Sequence, residues 1–270
     1  MSNSLNGILE WEILMSTNLC SFSWKHYREI LEVAKKAGYN FLLFNEINSK
    51  TTEKCCILRH DIDYTPEKAI EFGQIESKLG IRSTYFFQVS ALTYNTRERS
   101  CFEAIRTLNS MGHQIALHFD VTWWKEIFSV EELVDACNYE KDMLARMTPN
   151  IDISDIVSFH NPHTYADKVI NKTLAGMHHT YEPKYFSDFK YLSDSQGWYE
   201  GCMCKLFESK KYPRIQLLTH PYIWSENPQT DFIEDMSTFI NTRRDQLTEY
   251  MVKHHPVCKK NQDRLRSLLK

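Results

Sequence analysis

The residues with the clearest chemical potential are His60, Asp61 and Asp63, which directly follow the apolar run 55–58. On extended backbone Asp61 and Asp63 project to the same side, because they are two residues apart. Two carboxylates held together repel each other, and a bound cation is one common way to stabilise them. The competing interpretation is an Asp-rich turn that leads into a helix beginning at Pro66. Both interpretations place the carboxylates between a strand end and a helix start.

Three histidines, His118, His160 and His220, also follow strand-like runs. A zinc-like metal prefers imidazole and carboxylate ligands, and by residue type Asp63 and His118 form the best pair. Asp120 shares a side with His118 on extended backbone, so it is a candidate for a further ligand or for orienting one. His220 precedes a proline, which favours extended backbone, and a histidine held in this way suits a general acid.

The elements that must position these residues alternate between helix and strand. The alternation predicts a parallel sheet covered by helices. A distorted (β/α) barrel fits better than an open sheet, because polar residues that follow successive strands then converge on one mouth. The stretch 166–201 is the least regular and predicts long loops. The predicted helices are 24–36, 66–79, 101–111, 131–147 and 231–253, and the predicted strands are 40–44, 55–58, 83–87, 113–117, 155–159 and 214–218.

Length and charge set the class of protein. We predict one domain over 1–270, with a possible N-terminal extension at 1–23, a core at about 24–224 and C-terminal helices at 229–270. The net charge is -3 and no sustained basic run is present, so we expect no nucleic-acid partner. No run of about 18 apolar residues is present, so we expect no membrane span. The N-terminus lacks the layout of a signal peptide, and we expect a cytoplasmic protein.

The eight cysteines lie mostly inside apolar segments, which is typical of reduced, buried thiols. Cys202 and Cys204 form a Cys-x-Cys pair with no second pair near them in the sequence. We interpret them as two ordinary cysteines rather than as a metal site.

Several segments together resemble the polysaccharide deacetylase family, also known as carbohydrate esterase family 4. The similarity runs from about Trp24 to Trp224. It implies a single-domain distorted (β/α) barrel, a divalent metal with zinc as the expected ion, and removal of an N-acyl group from an amino sugar. The segments are 58–63, 83–87, 112–120, 158–162, 193–195 with Trp198, and 217–221.

The resemblance implies that Asp61 is the catalytic base and that Asp63 is a metal ligand. The family usually has these two aspartates adjacent, whereas here Ile62 separates them. His220 matches the last family histidine, the acid that protonates the leaving amine. Asp194 matches a further motif of the family, and we predict that it contacts substrate or positions other site residues.

The ligand set also departs from the family pattern. The second motif usually has two histidines four residues apart, but Thr122 follows His118 at that spacing. His160 stands where the third motif usually has an arginine that holds the base. We therefore predict that Asp63, His118 and His160 hold the metal, with Asp120 as the alternative third ligand.

The remaining predictions concern substrate. We expect His60, Asp120 and Trp198 to contact substrate or to support the residues that do. A cytoplasmic branch of the family would act on a nucleotide-linked or lipid-linked amino sugar, as a precursor of a surface polysaccharide. Two alternatives stay open at this point. One is an inactive carbohydrate-binding barrel, which the loss of a histidine at Thr122 favours, and the other is a hydrolase of a different C–N amide bond.

Overall fold

The computed structural model describes residues 20–48, 51, 53–124, 129–161, 166–195, 197–198, 200–228 and 232–269. The chain divides into two compact units between Glu226 and Asn227. The predicted core at about 24–224 falls in the first unit, and the assignment of the whole chain to one domain stays a prediction. None of the helices in the described ranges is long and apolar enough to cross a membrane.

The first unit alternates strands with helices. Its strands are β1 Asn40–Phe41, β2 Cys55–Ile62, β3 Thr84–Phe87, β4 Gln114–Asp120, β5 Ile153–His160, β6 His178–His179, β7 Lys190–Ser193 and β8 Arg214–Thr219. Its helices are α1 Trp24–Lys36, α2 Lys68–Lys78, α3 Arg99–Ser110, α4 Val130–Met147, α5 Ala166–Val169, α6 Pro183–Phe186 and α7 Met203–Ser209, with 3₁₀ turns at Phe44–Glu46 and Pro221–Ile223. The second unit contains α8 Phe232–His254, α9 Pro256–Lys260 and α10 Gln262–Leu268.

The strands form one parallel sheet in the order β6-β5-β4-β3-β2-β8-β7, with β1 beside β2. The sheet is strongly curled. A flat sheet would hold β2 and β5 about 14 Å apart, because two strands lie between them. Yet Asp61 Oδ2 on β2 lies 3.0 Å from Ser158 Oγ on β5. The predicted α/β fold with a distorted barrel of parallel strands is therefore confirmed.

Both faces of β2 are covered, and all eight of its residues are buried. On the helix-facing side, His60 Nε2 lies 2.8 Å from Glu76 Oε1 of α2. Glu76 also accepts hydrogen bonds from Tyr27, Tyr85 and Ser83, and we call these five residues the Glu76 cluster. Burial favours a raised pKa for Glu76, but the nearby His60 imidazole outweighs it and lowers that pKa.

The Glu76 cluster corrects one prediction. His60 was expected to contact substrate or support the site, but it points to the opposite side of β2 from Asp61, because successive side chains of a strand alternate. His60 instead links β2 to α2 and, through Thr219 Oγ1 at 2.7 Å from its Nδ1, to β8. Its role in this structure is to hold the core together.

Other differences are local. The strand predicted at 40–44 ends at Phe41, and the chain then makes a 3₁₀ turn. The helix predicted from Pro66 begins at Lys68, after a turn at 66–67. The stretch 166–201 contains the short strands β6 and β7 as well as loops. These two strands are too short to show a hydrophobic period in the sequence.

We predict that Glu76→Gln lowers the free energy of unfolding by about 3 kcal/mol at pH 7, because it leaves His60 without its buried charge partner. The folded-state pKa of Glu76 is lowered, so its contribution is present above the unfolded pKa and is lost as pH falls. The difference from wild type should therefore shrink on acidification in urea unfolding. Glu103→Gln, at an exposed position of α3, is the control, with a change within about 0.5 kcal/mol. Equal effects for the two variants would contradict the prediction.

Candidate active site

Five side chains from four strands meet at the carboxyl ends of β2, β4, β5 and β8. They are Asp61, Asp63, His118, His160 and His220, and we call them the strand-end site. Asp63 Oδ1 lies 3.1 Å from His118 Nε2 and 3.0 Å from His160 Nδ1, and the two ring nitrogens are 3.2 Å apart. This end of a parallel α/β sheet is where ligands commonly bind.

Three of these residues have the donor set and spacing of a metal site. The nearest ligand atoms of Asp63, His118 and His160 lie within 4.8 Å of one another. Ligand atoms of a tetrahedral zinc lie roughly 3.3 Å apart, which is close to the three distances here. His118 Nδ1 faces the backbone carbonyl oxygen of Ser158 at 3.3 Å. In the tautomer in which Nδ1 donates to this carbonyl, Nε2 keeps a lone pair for a metal. The residues present therefore fit a zinc-type ion.

His160 presents Nδ1 to the group, while its Nε2 lies 2.9 Å from the Asn161 side-chain amide. A neutral imidazole that binds a metal through Nδ1 keeps its proton on Nε2. The Asn161 amide must then present its oxygen, and the two amide orientations differ only by a flip. Asn161 is thus placed to fix the orientation of the His160 ring.

Asp63 and His160 form an ion pair, with 3.0 Å between Asp63 Oδ1 and His160 Nδ1. Burial favours a raised pKa for Asp63, but hydrogen bonds with His118 and His160 outweigh it and hold that pKa far below its usual range. Burial favours a lowered pKa for His160, but Asp63 outweighs it and raises that pKa. Because a metal and a proton compete for His160, metal affinity should fall as pH decreases.

Asp61 has one satisfied oxygen and one free oxygen. Its Oδ2 accepts hydrogen bonds from Arg59 Nη2 at 2.7 Å and Ser158 Oγ at 3.0 Å. Its Oδ1 is buried and has no hydrogen-bond partner among the described residues. Burial favours a raised pKa for Asp61, but the Arg59 guanidinium outweighs it and lowers that pKa. Asp61 is therefore ionised at neutral pH and has an oxygen available to accept a proton.

Arg59 is a site residue that the sequence reasoning missed. In the family that the sequence resembles, an arginine at the position of His160 usually holds the base. In this chain Arg59 of β2 contacts Asp61 instead. Arg59 is fully buried and also donates from Nη1 to Gln216 Oε1 at 3.0 Å. The available signal was an arginine directly after the apolar run 55–58. Arg59 stands two residues before Asp61, so the two side chains lie on the same side of the strand. Gln88, which donates to Asp63 at 3.1 Å, was missed as well.

His220 is held by Asp194. Asp194 Oδ1 lies 2.6 Å from His220 Nδ1, and Oδ2 accepts hydrogen bonds from the His220 backbone N–H at 2.9 Å and from Trp224 Nε1 at 2.8 Å. His220 Nε2 then faces the site, 3.7 Å from Asp63 Oδ2. Burial favours a lowered pKa, but the Asp194 carboxylate outweighs it and raises the pKa of His220 to about 9. His220 is thus protonated at neutral pH.

Two predicted residues lie elsewhere. Asp120 Oδ1 accepts hydrogen bonds from Thr122, from the backbone N–H at 2.9 Å and the hydroxyl at 2.7 Å, and Asp120 does not join the convergent ligand atoms. Trp198 was expected to contact substrate or to support the residues that do, and it is buried in the core, with its ring centroid 6.3 Å from those of Phe22 and Trp224. Phe22 stacks on one face of the Trp198 ring, so stacking on a sugar is disfavoured, and the supporting role stays a prediction.

Tyr64 and Tyr222 are the aromatic residues beside the strand-end site. Their ring centroids are 4.5 Å apart, and they line a shallow depression together with Asp61, Asp63 and Pro221. Both tyrosines lie within three residues of the end of a strand, β2 or β8, and that position was the signal in the sequence.

No protein-family model matches the sequence, and no curated protein matches it. Some solved structures are similar to it. A family 4 carbohydrate esterase from Bacillus anthracis is 14% identical with a TM-score of 0.33, and the match covers 80% of this chain and 85% of that one. A variant of the peptidoglycan deacetylase PdaC from Bacillus subtilis is 13% identical with a TM-score of 0.37, covering 79% and 98%.

A pseudoenzyme of the same esterase family from Bacillus anthracis is also similar. It is 14% identical with a TM-score of 0.34, and the match covers 72% of this chain and 62% of the pseudoenzyme. This chain therefore spans about three fifths of that protein.

The ligand set predicts the effect of alanine variants on metal content. Asp63→Ala, His118→Ala and His160→Ala should each bind one equivalent of zinc fewer than wild type, since each removes a ligand and loses more than the ~100-fold in affinity of a neighbouring hydrogen-bond change. Asp120→Ala is the matched control and should keep the wild-type content. Elemental analysis of dialysed protein measures this. Zinc lost from the Asp120 variant but kept by the His160 variant would overturn the ligand set.

Arg59→Met should lower the free energy of unfolding by about 3–5 kcal/mol, because it leaves Asp61 as an unpaired buried charge. The double variant with Asp61→Asn should recover part of that loss, since no unpaired carboxylate remains. Urea unfolding measures both effects. Arg99→Met, which breaks an exposed ion pair on α3, is the control with a change within about 0.5 kcal/mol. Additive effects of the two site substitutions would show that Arg59 and Asp61 do not act as a pair.

Proposed function

We propose that this chain is a metal-dependent hydrolase that removes an N-acyl group, with acetyl as the expected group, from an amino sugar. One observation carries the proposal. The strand-end site combines a three-ligand metal set with an ionised carboxylate that has a free oxygen and with a protonated imidazole. Amide hydrolysis needs these three functions: an electrophile, a base and an acid.

Each side chain has a place in that reaction. A divalent ion held by Asp63, His118 and His160 would polarise the acyl carbonyl and acidify a water molecule. Asp61 Oδ1 accepts the proton of the attacking water, while Arg59 keeps this carboxylate ionised until then. His220 Nε2 donates a proton to the departing nitrogen, and Asp194 holds the ring so that this nitrogen faces the site.

The aromatic residues at the edge of the site support a sugar as the carrier of that acyl group. Tyr64 and Tyr222 lie beside Asp61 and Asp63, and tyrosine rings suit the apolar face of a sugar. A nucleotide-linked or lipid-linked amino sugar is the substrate class we propose. This part of the proposal depends on the expected cytoplasmic location.

The experiment is a hydrolysis assay on the zinc-loaded chain. The substrates are free N-acetylglucosamine, its nucleoside diphosphate conjugate, a lipid-linked form and an N-formyl analogue. Released acid and free amine are measured for each. Release of both products from an N-acetylated sugar supports the proposal. Binding of these sugars without any product would favour the carbohydrate-binding barrel, and turnover of the formyl compound alone would favour another amide hydrolase.

Asp61→Asn should retain the wild-type metal content and lose nearly all turnover, because an amide cannot accept the proton of the water. The loss should be on the order of 10²-fold or more in kcat. Asp120→Asn is the matched control, because that carboxylate is close to the site but outside the ligand group, and it should keep most of the activity. Near-normal turnover in the Asp61 variant would remove this residue from the mechanism.

Asp194→Asn should move the alkaline limb of the pH–rate profile to lower pH. The Asp194 carboxylate raises the pKa of His220, and a general acid loses activity as pH rises through its pKa. Without that charge His220 loses its proton at a lower pH. The kcat profile of zinc-loaded enzyme measures the shift, with Asp188→Asn as a control elsewhere on the surface. An unchanged alkaline limb would show that another group is the acid.

A further inference from the structure

A second group of metal-ligating side chains lies outside the strand-end site. His26 Nε2, on the first turn of α1, lies 3.2 Å from Cys20 Sγ and 3.4 Å from Cys202 Sγ. All three ligand atoms lie within 4.8 Å of one another. The two cysteines are far apart in sequence, so only the fold brings them together. We call these three residues the Cys20 site.

The spacing suits a tetrahedral ion with sulfur and nitrogen ligands. Zinc–sulfur and zinc–nitrogen bonds of ordinary length place sulfur and nitrogen roughly 3.6 Å apart, which is close to the two distances here. Two thiolates and an imidazole are the ligand types that zinc prefers, and hard cations such as magnesium disfavour them. All three side chains are partly buried, so the position is shielded without being closed.

An independent observation concerns the other ring nitrogen of His26. Nδ1 lies 3.0 Å from Glu29 Oε2, one turn along α1. A histidine that binds a metal usually donates its second ring N–H to a carboxylate, which fixes the tautomer and strengthens the ligand. Here the carboxylate holds the proton on Nδ1, so that Nε2 presents its lone pair to the two sulfurs.

The backbone around the site is also held in place. The Trp24 N–H donates to the Ser225 carbonyl at 3.0 Å, and the Ser225 N–H donates to Phe22 at 3.1 Å. Cys202 is the N-cap residue of α7, and Cys204, on the first turn of that helix, shares a hydrogen bond with Cys202. A third thiol therefore lies next to Cys202, outside the group of converging ligand atoms.

We propose that Cys20, His26 and Cys202 form a second metal site, which binds a zinc-type divalent ion and joins the segment before α1 to the start of α7. The sequence-based interpretation of Cys202 as an ordinary cysteine is thereby replaced. The role is structural, because the ion would link two parts of the chain that lie away from the strand-end site. The site does not depend on the proposed function.

Cobalt substitution tests the site with a signal that the strand-end site cannot produce. The full chain is reduced, stripped of metal and titrated with Co²⁺, and thiolate-to-cobalt charge-transfer absorption is recorded in the near ultraviolet. Wild type and Asp63→Ala should both show the band, since the strand-end ligands contain no sulfur. Cys20→Ser and Cys202→Ser should lose it, and Cys258→Ser in the second unit is the matched control that keeps it.

A milder variant distinguishes a weakened metal site from misfolding as the cause of a lost absorption band. Glu29 is largely exposed, so Glu29→Gln should leave the fold intact and weaken cobalt affinity by about 10–100-fold. Absence of the band in wild type, or an unchanged affinity in the Glu29 variant, would overturn the proposal. The eight thiols are counted in denaturant beforehand. A count of six that is restored to eight on reduction, with Cys20 and Cys202 as the missing pair, would show a disulfide and would also overturn it.

Discussion

The alternation of side chains along β2 is the constraint on which both the site and the core depend. Arg59 and Asp61 face the inside of the curled sheet, whereas His60 faces the helices and meets Glu76. A slip of one residue in register would place Asp61 against Glu76 and leave two buried carboxylates together. Burial of charges on both faces therefore fixes the register of this strand more strongly than its apolar residues do.

Within the site, each carboxylate has its own cationic partner. Asp61 is paired with Arg59, and Asp63 is paired with His118 and His160. This separation lets the two aspartates have different roles although they are two residues apart. The charge of Asp61 does not depend on metal binding, because an arginine remains protonated at any physiological pH. The proposed base would therefore carry its charge whether or not a metal is bound.

The sequence was most informative where a residue follows a strand. His118 and His160 each follow an apolar run, so they could be placed at one edge of the sheet in advance. In the structure β4 and β5 are neighbours, with Asp120 opposite His160 in the register. The curl of the sheet could not be predicted in this way, and it is the curl that brings Ser158 to Asp61. The same limit applies to Cys20 and Cys202, since only tertiary packing of α1 against α7 brings distant thiols together. The sequence could not place Trp198, because its residue type suits both a core and a surface that stacks on sugar rings.

The position of Arg59 has a consequence for how such chains diverge. A cation on the same strand as the base makes an arginine at position 160 unnecessary, and a second guanidinium there would be repelled by the first. Under the proposed ligand set, position 160 is then free to hold a metal ligand, and a histidine is no longer needed at position 122. Residues 59, 122 and 160 should therefore be exchanged together in related sequences. Loss of Arg59 alone would leave Asp61 without its cation, and His160→Arg alone would bring a second cation to Asp61 and remove a proposed ligand.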